Sequence, residues 1–241
     1  TLDDEDVLKS GIPSGEFLFC AYSPNLQDDV LAKIGEFLDA GGHALFCYYL
    51  PEQIRARLGM GEAVYTAAGV EKRFTSVRPT GAAPRGMPDS VAQSSWNAYV
   101  LDGVGTKARV AANWVAADGR TRTAPALVMT DEAAWFGHVF TGGDAESKAQ
   151  FLLSVIGAYD PTVWARALPR VLEQVCRFRF AATPEELVAF VERERPSLAA
   201  RLVADDILRL RNRTADSEPW RAFSQLTRLR QRAKNAYLRS F

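Results

Sequence analysis

Cys47 and His138 are the two residues whose types could together carry out covalent chemistry. Each lies late in an apolar segment of the chain. A cysteine nucleophile with a histidine base requires a sharp turn that exposes the thiol, with small neighbours that let a substrate approach. Cys47 instead lies between Phe46 and Tyr48, and no acidic residue closely follows His138 to orient its imidazole. The local sequence therefore argues mostly against a cysteine-dependent amidotransferase or hydrolase, which stays an alternative hypothesis.

Metal-binding and other catalytic patterns are weaker still. The chain has two histidines, and its three cysteines (Cys20, Cys47 and Cys176) show no metal-ligand spacing, so we interpret them as buried thiols. No phosphate-binding loop or complete dinucleotide-binding motif occurs. The pair Asp131 and Glu132 fits a charged hairpin tip better than the two acids of a glycosidase. We expect no metal and no cofactor.

Aromatic residues are better candidates for a binding site, because flat rings stack on the apolar faces of sugars. If the strand that contains Tyr48 and Tyr49 continues past them, their side chains point to opposite sides and at most one faces a given cleft. Packing in the core is the alternative interpretation for all of these rings. The candidate ligand-binding residues are Tyr48, Tyr49, Trp96, Trp135 and His138.

The segment that must position Cys47 and Tyr48 predicts an α/β layered domain. Apolar residues from Val30 to Leu38 recur at helical spacing, and Gly41-Gly42 is typical of a helix end. Residues 44–50 are continuously apolar, which indicates a parallel strand covered on both faces. In such a fold the carboxyl end of the strand is the expected place for a site.

Strands and helices follow along the whole chain. We expect residues 1–14 to form an edge or a loop, residues 79–95 to form a long loop, and Asp118-Gly119 to form a hairpin turn. In the helix from about residue 145 to 158, Ser147 and Lys148 are expected to face solvent. The predicted strands are 16–22, 73–78, 97–101, 108–115, 127–130 and 135–140, and the other predicted helices are 27–40, 51–58, 161–176, one starting at 183, 197–211 and 219–238.

Two domains are expected, an α/β domain over residues 1–160 and a helical extension over residues 161–241. The extension holds 16 Lys and Arg against 9 Asp and Glu, whereas the remainder is acidic, and such opposite charges favour docking. Acidic residues interleave with the arginines, so we do not expect nucleic acid as a partner. No run approaches the roughly 20 apolar residues that cross a membrane. The chain begins with Thr1, which we read as a processed or excised chain that gives no compartment.

Several motifs resemble a known family. They are residues 38–51, 93–97, 108–114, 137–144 and 233–237, which are similar to the glutamine-amidotransferase-like accessory domain and helical connector of family-10-like bacterial glycosyl hydrolases. The resemblance implies a flavodoxin-like, class I glutamine amidotransferase-like layered sheet with a C-terminal all-helical extension. It also implies a hydrolytic barrel that is separate from this chain. It carries no catalytic residue over, because the amidotransferase nucleophile pattern is broken here.

The first functional hypothesis is therefore a non-catalytic accessory domain of a carbohydrate-active protein. It would bind glycan or organise a neighbouring catalytic barrel, so the expected partner is a carbohydrate or that catalytic domain, with no nucleic acid and no membrane. One alternative is an amidotransferase or hydrolase that uses Cys47 and His138. The other is an oligomerisation module, for which the partner is a second copy of the chain in a homo-oligomer.

Overall fold

The structure, a computed structural model, describes residues 2–15, 17–22, 26–177, 181–194, 198–212 and 218–238. The chain divides into two compact units, Thr1–Val155 and Ile156–Phe241. The first unit is a mixed α/β fold, which confirms the predicted class at that level. All regular elements described after its last strand are helices. The boundary predicted between residues 160 and 161 stays a prediction.

The first unit is built on a seven-stranded mixed sheet with the strand order β1-β2-β9-β8-β7-β4-β5. Strands β1, β2 and β9 are parallel, and the other neighbours are antiparallel. A separate antiparallel ribbon pairs β3 with β6. In chain order the elements are α1 Asp4–Ser10, β1 Phe17–Cys20, α2 Asp28–Asp39, β2 His43–Cys47, α3 Glu52–Arg57, β3 Ala63–Ala67, β4 Phe74–Pro79, β5 Val91–Ser95, β6 Asn97–Leu101, β7 Arg109–Val115, β8 Thr121–Met129, β9 Ala133–Phe136 and α4 Ala145–Tyr159.

The β1–α2–β2 segment follows the sequence-based expectation closely. The apolar face of α2 is buried, and Gly41 ends the helix with a left-handed φ of +84°. Ala44 to Cys47 of β2 are almost fully buried, and β2 pairs in parallel with both neighbours, so the prediction of a covered parallel strand is confirmed. The strand ends at Cys47, however, whereas it was expected to run to residue 50.

Two apolar layers cover the parallel strands. Phe46 and Trp135 are register partners and belong to the core cluster that contains the buried face of α2. Phe136, the partner of Cys47, instead stacks with Phe140 and lies 5.3 Å from the Phe151 ring of α4. Because side chains alternate along a strand, the two faces of β2 and β9 are packed by different helices. The ends of β2 and β9 are consequently enclosed by side chains on both faces.

Three elements were not predicted. Residues 1–14 contain helix α1, which has a capping box between Asp3 and Asp6 but buries only Val7, so its apolar signal is weak. Strand β5 lies in the segment that was assigned to a loop, and it was missed because two of its three buried residues, Gln93 and Ser95, are polar. Strand β3 carries no continuous apolar run, since none of its residues is fully buried.

The prediction for Lys148 was wrong. The side chain is 6% exposed, and its Nζ donates to the carbonyl oxygens of Thr141 at 2.6 Å, Gly143 at 2.8 Å and Gly142 at 3.2 Å. Burial lowers the pKa of Lys148, and the nearby Asp144 carboxylate partly opposes that shift. The lysine therefore secures the loop after β9 instead of facing solvent.

The second unit is helical throughout its described elements. After the last turn of α4 these are α5 Thr162–Cys176, α6 Pro184–Glu194, α7 Leu198–Asn212 and α8 Pro219–Leu238. They match the predicted helices to within a few residues. The Trp164 ring of α5 packs edge-on against the Phe223 ring of α8 at 5.3 Å, and Ile207 of α7 and Leu226 of α8 are fully buried. The unit therefore has an apolar core of its own.

Candidate ligand-binding site

The parallel strands β1, β2 and β9 end side by side, because Cys20 pairs with Phe46 and Cys47 pairs with Phe136. The residues that follow their carboxyl ends therefore meet at one edge of the sheet, where α/β folds usually place a ligand. The aromatic residues at this edge are Tyr22 after β1, Tyr48 and Tyr49 after β2, and His138 after β9.

Tyr48 turns the chain out of β2 with a left-handed backbone, at a φ of +69°. Residues with a Cβ rarely adopt this conformation, which costs about 1 to 2 kcal/mol. Two hydrogen bonds to β9 hold it in place. The Tyr48 amide donates to the Phe136 carbonyl at 2.8 Å, and the Trp135 indole donates to the Tyr48 carbonyl at 3.0 Å. Tyr48 and Tyr49 consequently do not alternate as strand residues would, and both rings contact Tyr99.

Five tyrosines, Tyr22, Tyr48, Tyr49, Tyr65 and Tyr99, form a connected group that we call the tyrosine cluster. The Tyr99 ring is central, with centroids 4.8 Å from Tyr48, 5.9 Å from Tyr49 and 5.8 Å from Tyr65, all nearly edge-on. Tyr22 lies 5.7 Å from Tyr48. Tyr22 is 57% exposed and Tyr65 is 49% exposed, while the other three are half-buried. The cluster thus presents a solvent-accessible aromatic surface.

Gly137 brings the β3–β6 ribbon to this edge. A Cβ at Gly137 would lie well inside 3.0 Å of the Tyr99 carbonyl oxygen, so only glycine fits there without a backbone shift. This close approach is used by a hydrogen bond of 2.9 Å from the Tyr99 amide to Gly137 O, while the Gly137 amide donates at 2.9 Å to Ala126 O of β8. Since Tyr99 and Tyr65 lie on this ribbon, Gly137 helps to assemble the tyrosine cluster.

His138 lies under the Tyr48 ring, at 5.2 Å between centroids, and is 6% exposed. Its Nδ1 is 2.9 Å from the Val139 carbonyl oxygen and its Nε2 is 3.1 Å from Asn97 Oδ1. A neutral imidazole donates from one nitrogen only, so it satisfies one of these two acceptors at a time. Burial lowers the pKa of His138, and the Val139 carbonyl opposes that effect. The ring is therefore neutral at neutral pH.

Asn97 connects the histidine to the tyrosine cluster. Its Nδ2 donates to the Tyr65 hydroxyl at 3.1 Å, and its side chain also hydrogen-bonds to Tyr48. Beside it, Gln93 Oε1 and Ser95 Oγ are buried with no partner among the described residues. Buried polar atoms are normally satisfied, so a water molecule or a ligand is the expected partner for these two.

The environment of Tyr48 favours the neutral form of its phenol. Burial raises the pKa of Tyr48, as do the neighbouring Tyr65, Tyr99 and Tyr22 phenols, while the hydrogen bond with Asn97 lowers it. Phenol hydroxyls, an amide and a neutral imidazole can donate and accept hydrogen bonds, but none of them is an activated nucleophile. This chemistry suits the binding of a polar, uncharged molecule.

Cys47 has the opposite environment from that of a reactive thiol. It is 1% exposed, and burial, with a smaller contribution from Cys20, raises its pKa far above the usual range. Burial also raises the pKa of Cys20 to about 12. Cys20 shares a face with its register partner Phe46, so Cys47 lies on the other face of the sheet and the two cannot form a disulfide. The side chain of Cys176 lies outside the described residues.

The structure brings together three of the five proposed ligand-binding residues, Tyr48, Tyr49 and His138. Trp135 is fully buried in the core, so its ring offers no surface to a ligand. Trp96 is 74% exposed in the bend between β5 and β6, and among the described residues no ring contact joins it to the tyrosine cluster. It therefore lies apart from the tyrosine cluster.

Sequence reasoning did not identify Tyr22, Tyr65, Tyr99 or Asn97. Tyr22 carries a local signal, because it follows β1 as Tyr48 follows β2. Tyr65 lies on a strand that was not predicted, and Asn97 meets it across 32 positions of sequence. A contact between residues so far apart in the chain cannot be recognised from the local sequence pattern.

Acidic and metal-binding groups do not add to the site. Glu132 pairs with Arg57 at 2.6 Å, and Arg57 also pairs with Asp39 at 2.8 Å, so the carboxylate at this hairpin tip has a structural partner. In the part of the chain that the structure describes, no group of three or more His, Cys, Asp or Glu residues could hold a metal ion. Among the same residues, no helix is both long and apolar enough to cross a bilayer.

No protein-family model matches the chain, and no curated protein is similar enough to it to count as a match. The family resemblance of the sequence motifs consequently stays an expectation.

Proposed function

We propose that the first unit is a non-catalytic accessory domain of a carbohydrate-active protein and that it binds a neutral glycan on the tyrosine cluster. One observation carries the proposal: five tyrosine rings meet at the carboxyl edge of the parallel strands, next to Asn97 and a neutral His138. Aromatic rings cover the apolar faces of sugars, while phenol and amide groups form hydrogen bonds with the sugar hydroxyl groups. Organising a neighbouring catalytic barrel is compatible with the same site.

We also infer that β1, α2, β2 and β9 form a flavodoxin-like part of the first unit, related to class I glutamine amidotransferases. Support comes from the parallel pairing of β1, β2 and β9 and from the crossover helix α2 between the first two. Further support comes from the sharp left-handed turn after β2, which is carried by Tyr48 in place of a nucleophile.

The decisive test is thermal unfolding of the full chain against a panel of neutral oligosaccharides. A ligand at about 100 times its dissociation constant adds roughly 2.7 kcal/mol of stability. For a chain of this size, the melting temperature then rises by about 5 to 10 °C. A rise with one glycan class supports the proposal and names the ligand, whereas no rise with any glycan contradicts it.

Matched variants locate the binding surface. Tyr22→Ala and Tyr65→Ala each remove an exposed ring of the cluster and should weaken glycan binding about three- to tenfold. Val64→Ala is the control, because Val64 is exposed on the same strand as Tyr65 but on its other face. If Trp96→Ala abolishes binding while the tyrosine variants do not, the glycan binds elsewhere and the proposed site is wrong.

The cysteine-dependent alternative receives the least support, because Cys47 is buried and its thiol resists ionisation. Alkylation of the native chain, followed by peptide mapping, tests it directly. We expect Cys47 to react only after unfolding. Rapid alkylation of native Cys47 near pH 7 would restore the amidotransferase or hydrolase hypothesis.

The oligomerisation alternative is tested by measuring the native mass of the chain in solution. A monomer contradicts that alternative.

A further inference from the structure

A chain of buried side-chain hydrogen bonds runs from β5 to the tyrosine cluster. Gln93, His138 and Asn97 are all almost fully buried. The side-chain nitrogen Nε2 of Gln93 lies 3.3 Å from His138 Nδ1, and it also donates to the Val139 carbonyl oxygen. His138 Nε2 in turn lies 3.1 Å from Asn97 Oδ1. The number of hydrogens on each group decides the direction in which these bonds donate.

The hydrogen bonds of Gln93 select the tautomer of His138. Gln93 Nε2 carries two hydrogens, which can reach the Val139 carbonyl and His138 Nδ1 together only if Nδ1 is an acceptor. The single hydrogen of the neutral imidazole then lies on Nε2 and is donated to Asn97 Oδ1. With the hydrogen on Nδ1 instead, His138 Nε2 and Asn97 Oδ1 would be two acceptors facing each other. The Nε2–H form therefore satisfies these groups best.

This tautomer determines how Asn97 meets the tyrosine cluster. Because Asn97 Oδ1 faces the imidazole N–H, the Nδ2 group faces the phenols and donates to the Tyr65 hydroxyl at 3.1 Å. Burial raises the pKa of Tyr48, but the hydrogen bond from Asn97 acts in the opposite direction, as a donor to the phenol oxygen does. Neither phenol hydrogen has an acceptor among the described residues. Tyr48 and Tyr65 consequently present two O–H donors beside each other.

Two neighbouring O–H donors fit a carbonyl oxygen well. A carbonyl oxygen offers two lone pairs and has no hydrogen of its own, whereas a sugar hydroxyl that accepts from both phenols must still place its hydrogen. In neutral glycans such a carbonyl belongs to an acetamido group, whose methyl group packs on aromatic rings. We propose that the tyrosine cluster selects glycans that carry acetamido groups. This inference rests on the proposed glycan binding and adds the class of sugar.

Isothermal titration of the full chain with two matched ligands tests this selection. Chitotetraose and cellotetraose share the same linkage and a neutral backbone, but chitotetraose carries acetamido groups where cellotetraose carries hydroxyl groups. We expect chitotetraose to bind about tenfold more tightly, because its carbonyl accepts two hydrogen bonds. Equal or tighter binding of cellotetraose, or no binding of chitotetraose, would overturn the acetamido preference. The glycan proposal stands in that case if any oligosaccharide of the panel binds, and both are wrong if none does.

Variants that keep the ring and remove only the hydroxyl identify the donors. Tyr65→Phe should reduce the preference for chitotetraose to about threefold or less, because one of the two donors is lost. Tyr22→Phe is the matched control and should leave the preference unchanged. Tyr22 contacts Tyr48 through its ring, and no hydrogen bond joins it to Asn97 in the described part of the chain. An unchanged preference in Tyr65→Phe, or an equal loss in Tyr22→Phe, would overturn the assignment of the donors.

The tautomer of His138 gives a test that requires no ligand. Nitrogen NMR of the full chain with isotope-labelled histidine, at pH 7.5, shows which imidazole nitrogen carries the hydrogen. His43→Gln assigns the signals, because it removes the other histidine. We expect the hydrogen on Nε2. A hydrogen on Nδ1 would overturn the proposal, because Asn97 would then turn its nitrogen to the imidazole and its oxygen to the phenols, which would donate to it.

Discussion

At the residue scale, Tyr48 shows how the edge of the sheet is shaped. Its left-handed backbone would be costly in isolation, but the amide and the carbonyl group of Tyr48 are both hydrogen-bonded to residues of β9. The strain is held by strands that are buried on both faces, which is a common arrangement at ligand sites. The consequence is that Tyr48 and Tyr49 both reach Tyr99 instead of diverging.

Also at the residue scale, His138 should make stability depend on pH. Burial lowers its pKa in the folded state, whereas a histidine in the unfolded chain has a pKa of about 6.5. Below that value the unfolded state binds more protons, so stability falls as the pH falls. We expect His138 to lower stability between pH 7.5 and 5.5 by an amount of at most about 1.4 kcal/mol, measured by urea unfolding.

The variant His138→Gln should remove this part of the pH dependence, although burying a glutamine can lower stability at every pH. His43→Gln is the matched control, because it removes the other histidine of the chain and leaves His138 in its site. If the same pH dependence persists in His138→Gln, the buried imidazole is not its source.

At the scale of single elements, close packing at glycines distinguishes two helices. Gly157 of α4 lies so near the Trp164 indole that an added Cβ would clash with it, whereas a Cβ at Gly35 of α2 would meet nothing within 4 Å. Gly157→Ala should therefore lose about 1 to 3 kcal/mol of stability. Gly35→Ala should gain up to about 1 kcal/mol, because alanine favours helix over glycine. Urea unfolding measures both, and a stabilised Gly157→Ala would contradict the packing.

The β3–β6 ribbon depends on a glycine in the same way. Gly137→Ala should push Tyr99 away from β9, with a loss of about 1 to 3 kcal/mol and a changed near-ultraviolet circular dichroism signal from the tyrosines. Gly142→Ala in the following loop is the control, since nothing lies within 4 Å of a Cβ there. Equal stability of the two variants would show that the ribbon does not need Gly137.

At the scale of the whole molecule, the two compact units should unfold separately. The smaller helical unit buries a smaller share of its surface, so we expect it to open at lower urea concentration than the sheet. Hydrogen exchange followed by mass spectrometry measures opening for peptides of each unit. Gly157→Ala should move only the helical transition and Gly137→Ala only that of the sheet. A single shared transition would contradict independent units.

Some helices and strands could be predicted from the sequence better than others. Helix α2 and strands β2 and β6 were recognised because their apolar spacing is regular and their ends carry glycines or turn residues. Strand β5 was missed because its buried positions include polar side chains, among them Gln93. The burial of Lys148 was missed because the carbonyl oxygens that accept from it belong to a loop, where composition carries no signal.

The sequence by itself determined the α/β class of the first unit, the helices of the second and the covered parallel strand that ends at Cys47. These features follow from local spacing, since neighbouring residues alone set the periodicity of a helix or strand. Only the tertiary structure decided which aromatic rings share a surface. Tyr65 and Asn97 are 32 positions apart, and Asn97 and His138 are 41 apart. Such residues meet because the ribbon packs on β9 at Gly137, a contact that no local pattern encodes.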